Sequence, residues 1–176
     1  LKELPPELLP DILAVIDDEK GGRLIVRADP DDAVTFIDSL AEERRERVLN
    51  LLDPQRPAAV RELINYPEGT VGRIMTTDFM ALSPATTAQG AIDKIRERGV
   101  LETFFYLYVV DDSGKLAGVV PIRNLVIAPP DRMLSEMMIA DPVKASVFMD
   151  QEEAARLVSR YELLALPIVD EAGHLE

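Results

Sequence analysis

Tyr108-Val109-Val110-Asp111-Asp112-Ser113-Gly114-Lys115-Leu116 and Pro167-Ile168-Val169-Asp170-Glu171-Ala172-Gly173-His174-Leu175 state one pattern twice. In each, an apolar run ends at an aspartate, a glycine follows three residues on, and a leucine resumes the apolar run. Aspartate and glycine are turn residues, and β-branched or aromatic residues before them favour extended chain. The first copy therefore predicts a hairpin, with strands over Phe104–Val110 and Leu116–Val120. The copies lie about 60 residues apart, a period that marks a duplicated unit. Other landmarks repeat with them. Ile74-Met75 corresponds to Met137-Met138, and a helix over Ala88–Arg98, with Ala91, Ile92 and Ile95 on one face, corresponds to one over Glu152–Tyr161. Each unit reads strand, helix, strand, strand. The second stops at Glu176, inside its last hairpin.

Upstream the grammar changes. From Leu4 to Tyr66 the apolar residues recur at helical spacing: Leu8, Leu9, Ile12, Leu13 and Ile16; then Ala33, Phe36, Ile37 and Leu40; then Val48, Leu49, Leu51 and Leu52; then Val60, Leu63 and Ile64. Asp29-Pro30 and Asp53-Pro54 are helix starts, aspartate as cap and proline in the first turn. Five helices are expected here, each with one apolar stripe, packed as a small superhelical array. Tyr66-Pro67-Glu68-Gly69 marks the boundary. The fold class is thus α+β: a helical domain over 1–66, a first repeat over 67–131, and a second, incomplete one over 132–176.

Composition narrows the function. The 176 residues carry a net charge of −13, no cysteine and one histidine, His174. Thiolate metal sites and disulfides are excluded, and imidazole-built zinc sites and serine–histidine triads are disfavoured. The negative charge argues against nucleic-acid binding, which needs Lys and Arg at phosphates. Carboxylates are hard oxygen ligands suited to Mg²⁺ or Ca²⁺. No phosphate-cradling glycine loop or nucleophile elbow is present, so an enzyme is not expected. No apolar run approaches the ~20 residues of a membrane span. His174 is expected to be solvated in its turn, and Met75, Met137 and Met138 to pack in the core.

The repeats resemble a pair of cystathionine-β-synthase (CBS) domains, through Ile74-Met75-Thr76-Thr77, Leu82-Ser83-Pro84, the two Asp–Gly turns and Gly118-Val119-Val120. Three stretches resemble the MgtE magnesium channels more narrowly: residues 66–76, 105–111 and 150–161. Asp29-Pro30-Asp31-Asp32-Ala33 and Leu51-Leu52-Asp53-Pro54 extend the resemblance into the helical segment. It implies a homodimer paired through CBS domains (β-α-β-β-α units), on the cytoplasmic side of the cell membrane and joined to a transmembrane pore domain outside this sequence. Mg²⁺ is the implied regulator, favouring a compact, closed state. The alternative is an adenine-nucleotide-sensing CBS module that binds ATP.

The candidate residues follow from both readings. Asp29, Asp31 and Asp32 crowd a helix start. One of them suffices as a cap, which leaves carboxylates for a metal; the acid that the family tends to carry one turn on is Thr35 here. Glu162 follows Tyr161 at a helix C-terminus, where a carboxylate opposes the helix dipole and a cation offsets it. The resemblance adds the Ser159 carbonyl and the carbonyl of Gly72, the latter in a linker turn. It also implies a nucleotide contact at Arg123 and Asn124. There Pro121 replaces the family's hydroxyl and Asn124 its acid.

Overall fold

Helical spacing of Ala33, Phe36, Ile37 and Leu40 becomes a buried face in the computed structural model, which describes residues 16–18, 20–22, 30–51, 58–99 and 105–176. The chain divides into two units, Leu1–Thr77 and Asp78–Glu176. Much of the Leu8–Ile16 stripe, Asp29 and the Asp53-Pro54 start lie outside the described residues.

In the first unit α1 (Pro30–Asp38), α2 (Glu42–Leu51) and α3 (Ala58–Asn65) are followed by a single helical turn, α4 (Val71–Ile74). Helix α1 packs on α2, α3 and α4. Phe36, Ile37, Val48 and Leu63 are fully buried, and each such side chain contributes about 1.5–3 kcal/mol. One charge goes inside with them. Arg73 of α4 is buried, its side chain only 7% exposed. Its Nε and Nη2 donate to the two carboxylate oxygens of Asp38, at 2.9 and 2.6 Å. Its Nη1 donates to the carbonyls of Ile64 and Tyr66, at the end of α3. Asp38 holds the guanidinium's pKa above its ordinary value, burial opposing only in part.

The second unit is built on the expected hairpin. Strand β1 (Ala81–Leu82) pairs in parallel with β2 (Tyr106–Val110), across helix α5 (Ala88–Arg98). Strand β2 turns into β3 (Leu116–Pro121), with Tyr108 opposite Val119. Alternation along β2 buries Leu107 and Val109 with Leu82, Ala88, Ala91, Val120, Leu125 and Leu134. Helix α6 (Ile122–Ile127) and a one-turn helix, α7 (Leu134–Met137), lead to β4 (Ile139–Ala140). The last strand completes the first sheet, β1-β2-β3-β4, by pairing with β3. The second repeat supplies β5 (Ala145–Ser146), α8 (Gln151–Tyr161) and β6 (Ile168–Val169). Strands β5 and β6 pair in parallel as β1 and β2 do.

The duplication extends to details. Helices α4 and α7 are both single turns, ending at Met75 and Met138 in extended backbone. Met75 is buried; Met137 and Met138 pack against the core. The two Asp–Gly turns dock on each other through Leu116 N–H to Gly173 O (3.0 Å) and Leu175 N–H to Gly114 O (3.3 Å). His174 is therefore not simply solvated: its Nδ1 lies 2.9 Å from Asp170 Oδ2, and its backbone N–H donates to Asp170 Oδ1.

These turns predict an acid limb of stability. Ser113 and the Lys115 backbone N–H hold the Asp111 carboxyl below its ordinary 3.8, and the His174 ring does the same for Asp170. A carboxyl depressed in the folded state stabilises the fold above its unfolded pKa and loses that contribution as pH falls through the folded value. Stability followed by circular dichroism is expected to decline on the acid side, as pH falls through the unfolded toward the lower folded pKa of these two carboxyls. Asp111→Asn and Asp170→Asn should each flatten that limb and leave the neutral-pH spectrum unchanged.

Candidate functional site

The two long helices of the repeats begin alike and end differently. Thr87 caps α5 by accepting the Gly90 N–H, and Asp150 caps α8 by accepting those of Glu152 and Glu153. Helix α5 ends at Gly99, with φ +85, in the region where glycine is favoured. The corresponding end of α8 is Glu162, in left-handed backbone with φ 51 and ψ 41. A side chain there costs roughly 1–2 kcal/mol. The Glu162 N–H reaches the carbonyls of Ser159 and Val158, and Leu163 N–H bonds Val158 O at 3.0 Å. The Glu162 side chain is exposed. An acid thus stands at the negative end of a helix, where both backbone and dipole disfavour it. Among the described residues the Ser159 carbonyl is engaged by the long 3.4 Å bond from Glu162, which leaves it a lone pair for a further donor or ion.

Asp31 and Asp32 occupy the first turn of α1, both half-buried. The Asp31 carbonyl accepts the Thr35 hydroxyl at 3.1 Å, so the residue standing where the family carries an acid turns back onto its own helix. Asp29 lies outside the described residues. Gly72 is not in a linker turn. It is a buried residue of the helical turn α4, which starts after Thr70 in extended backbone and is held by Arg73. The glycine at positive φ is Gly69, just upstream. Among the described residues no group of three or more acidic or histidine side chains converges on one point. Asp31, Asp32 and Gly72 belong to the first unit, Ser159 and Glu162 to the second. Each is an oxygen donor of the hard type that suits Mg²⁺.

Arg123 and Asn124 lie in the first turn of α6, after Pro121, which offers no side-chain cap. Arg123 is exposed. Asn124 lines a cleft of about 450 Å³ with Ile127, Pro129, Arg132, Glu136 and Met137. Arg132 and Glu136 come from the segment joining the repeats and carry no motif, which is why the sequence did not point to them. Arg132 Nη2 contacts the Glu136 carbonyl at 3.4 Å. The cleft combines one apolar wall with an amide, a guanidinium and a carboxylate.

A family model described as the MgtE intracellular N domain matches residues 1–69. One described as the CBS domain matches 71–131 and 134–176. The magnesium transporter MgtE of Bacillus subtilis is 31% identical over 170 residues, 96% of this chain and 38% of that protein. The MgtE of Thermus thermophilus is 37% identical over 131 residues, 74% of this chain and 29% of that one. A solved structure described as the cytosolic domain of the Mg²⁺ channel MgtE in complex with ATP superposes with a TM-score of 0.85 at 32% identity, over 98% of this chain and 71% of the other. The chain belongs to the MgtE family. Its α+β architecture is that of the MgtE N domain followed by a CBS pair. The curated MgtE proteins are transporters rather than enzymes, and the chain spans well under half their length. None of the helices among the described residues is long and apolar enough to cross a membrane, as fits the part of MgtE described as cytosolic.

Proposed function

We propose that this chain is the Mg²⁺-sensing regulatory region of an MgtE-type transporter, gating a membrane pore by Mg²⁺-dependent closure of its acidic domains. Its parts are a helical domain over 1–66 and CBS domains over 67–131 and 132–176, paired with a second copy through the CBS domains. The observation that carries the reading is Glu162: a carboxylate kept at an unfavourable helix end in left-handed backbone, at the position where the sister repeat's helix ends on Gly99. Such an outlier costs stability and is retained where a ligand repays it. Asp29, Asp31, Asp32 and Glu162, with the Ser159 and Gly72 carbonyls, supply hard oxygens. With a net charge of −13, bare carboxylates repel, by roughly 1–4 kcal/mol for a pair at contact distance. A divalent ion reverses that sign and selects the closed state. Mg²⁺ keeps several of its waters, so few protein ligands suffice.

The cleft at Asn124 favours a second reading, an adenine nucleotide bound against Arg132 with Arg123 nearby; the similar MgtE domain solved with ATP supports it. Scattering with and without millimolar Mg²⁺, and separately with ATP, tests both. Compaction by Mg²⁺ and not by monovalent salt of equal ionic strength is expected. Glu162→Gly suits the left-handed backbone, so it should hold or raise stability while weakening the Mg²⁺ midpoint by roughly 3- to 10-fold, about 1 kcal/mol. Unchanged dimensions in saturating Mg²⁺ and in chelator sink the first reading. A response to ATP alone favours the second.

A further inference from the structure

Helix α8 ends on three consecutive exposed side chains, Arg160, Tyr161 and Glu162. Arg160 is the basic residue of the last turn, where a cation complements the negative end of the helix. The Glu162 carboxylate lies two residues on, within the span of an arginine side chain. On a continuous helix, residues two apart do not face each other. Glu162 has left the helical spiral for left-handed backbone, so that restriction is lifted. Yet among the described residues neither Arg160 nor Glu162 belongs to an ion pair, whereas Arg156, one turn earlier, reaches Glu152 at 3.4 Å. The Arg160 guanidinium lies over the Tyr161 ring instead, its carbon 5.5 Å from the ring centroid. An exposed cation–π contact and an exposed ion pair are both weak and of like size, so a guanidinium passes between ring and carboxylate at little cost.

We infer that Arg160 is a built-in competitor for the Glu162 carboxylate, that Tyr161 holds it aside, and that the two together set the Mg²⁺ concentration at which the chain responds. This rests on the proposed Mg²⁺ reading of Glu162 and adds what tunes it. A carboxylate paired with a guanidinium must release that partner before it takes a divalent ion. With the guanidinium on the ring, the carboxylate is open, and the arriving dication meets only the repulsion of a nearby positive charge. Arg160 is thus a positioning residue of opposite sign to the ligands, and Tyr161 its perch.

Mg²⁺ titrations of the chain followed by scattering test this through the sign of the shift. Arg160→Gln should lower the Mg²⁺ midpoint by roughly 2- to 5-fold, the scale of one exposed ion pair. Tyr161→Leu frees the guanidinium for Glu162 and should raise the midpoint by a similar factor, while Tyr161→Phe keeps the ring and the original midpoint. In the double variant Arg160→Gln/Tyr161→Leu the effect of the leucine should vanish, leaving the midpoint of Arg160→Gln alone. Arg156→Gln removes the same charge one turn away and should leave the midpoint in place. A second readout needs no Mg²⁺: the Cδ protons of Arg160 should resonate upfield of those of Arg156 through the ring current of Tyr161, and Tyr161→Leu should abolish the difference. Absence of that upfield shift in the unsubstituted chain overturns the inference, as do Arg160→Gln and Tyr161→Leu midpoints that move the same way, or an Arg156→Gln shift equal to that of Arg160→Gln. A chain that responds to Mg²⁺ with one midpoint in every variant overturns this inference alone. A chain with the same dimensions in saturating Mg²⁺ and in chelator overturns the sensing reading and this inference with it.

Discussion

Replacing Arg73 by methionine is expected to cost the helical unit about 3–5 kcal/mol, the range for breaking a buried ion pair by removing one partner. Methionine fills much of the volume, so packing is not the main loss. The loss is what remains behind. Among the described residues Asp38 then keeps only Arg45 as a cation, at 3.9 Å, and the Ile64 and Tyr66 carbonyls lose the Arg73 donor. Lysine preserves the charge but cannot make the two parallel bonds to Asp38 while reaching the α3 carbonyls, so Arg73→Lys should recover less than half of the deficit. Denaturant unfolding followed on the helical unit measures both. An Arg73→Met loss below about 1 kcal/mol, the value of an exposed pair, would show the guanidinium to be solvated.

Gly118→Ala is expected to cost about 3 kcal/mol, at the upper end of overpacking penalties. A Cβ on residue 118 would stand 2.8 Å from the Ile139 carbonyl and 2.8 Å from Met138 Sδ. The sulfur can swing away. The carbonyl cannot, because it belongs to β4, which pairs with β3 at this residue, Gly118 against Ala140. Relief therefore requires β4 to leave the sheet. Hydrogen exchange at Ile139 and Ala140 is expected to rise steeply in the variant, while Leu107 and Val109 of β2, across β3 from β4, stay protected. Equal loss of protection across all strands would assign the defect to the whole unit instead.

The repeats were legible because turn chemistry is local: Asp111 and Asp170 accept the amides two and four residues ahead, and this needs no tertiary contact. Helix α5 matches its expected span for the same reason, with Thr87 and Gly99 closing its ends. The one-turn helices α4 and α7 were not legible, since four residues are too short for a 3.6-residue period to register. Gly72 was therefore placed in a turn. Arg73 carries no signal of its own in a Pro- and Gly-rich stretch, where arginine is ordinarily at the surface. Only the fold brings Asp38 to it. At the candidate site, Glu162 was found as a helix-ending acid, but its left-handed backbone was not. Arg132 and Glu136 enter the cleft through tertiary proximity to Asn124, which no spacing records.

Strand β4 lies between the two repeats in sequence yet finishes the sheet of the first, and the segment 130–134 is clasped to the start of α5 through Ala88 N–H to Arg132 O and Leu134 N–H to Thr86 O. The duplication is thus interlocked rather than strung like beads. Neither half owns all of its own hydrogen-bond partners, so melting one strips the other. An ancestral doubling of this kind is hard to undo: a lineage that discarded one repeat would forfeit the survivor as well.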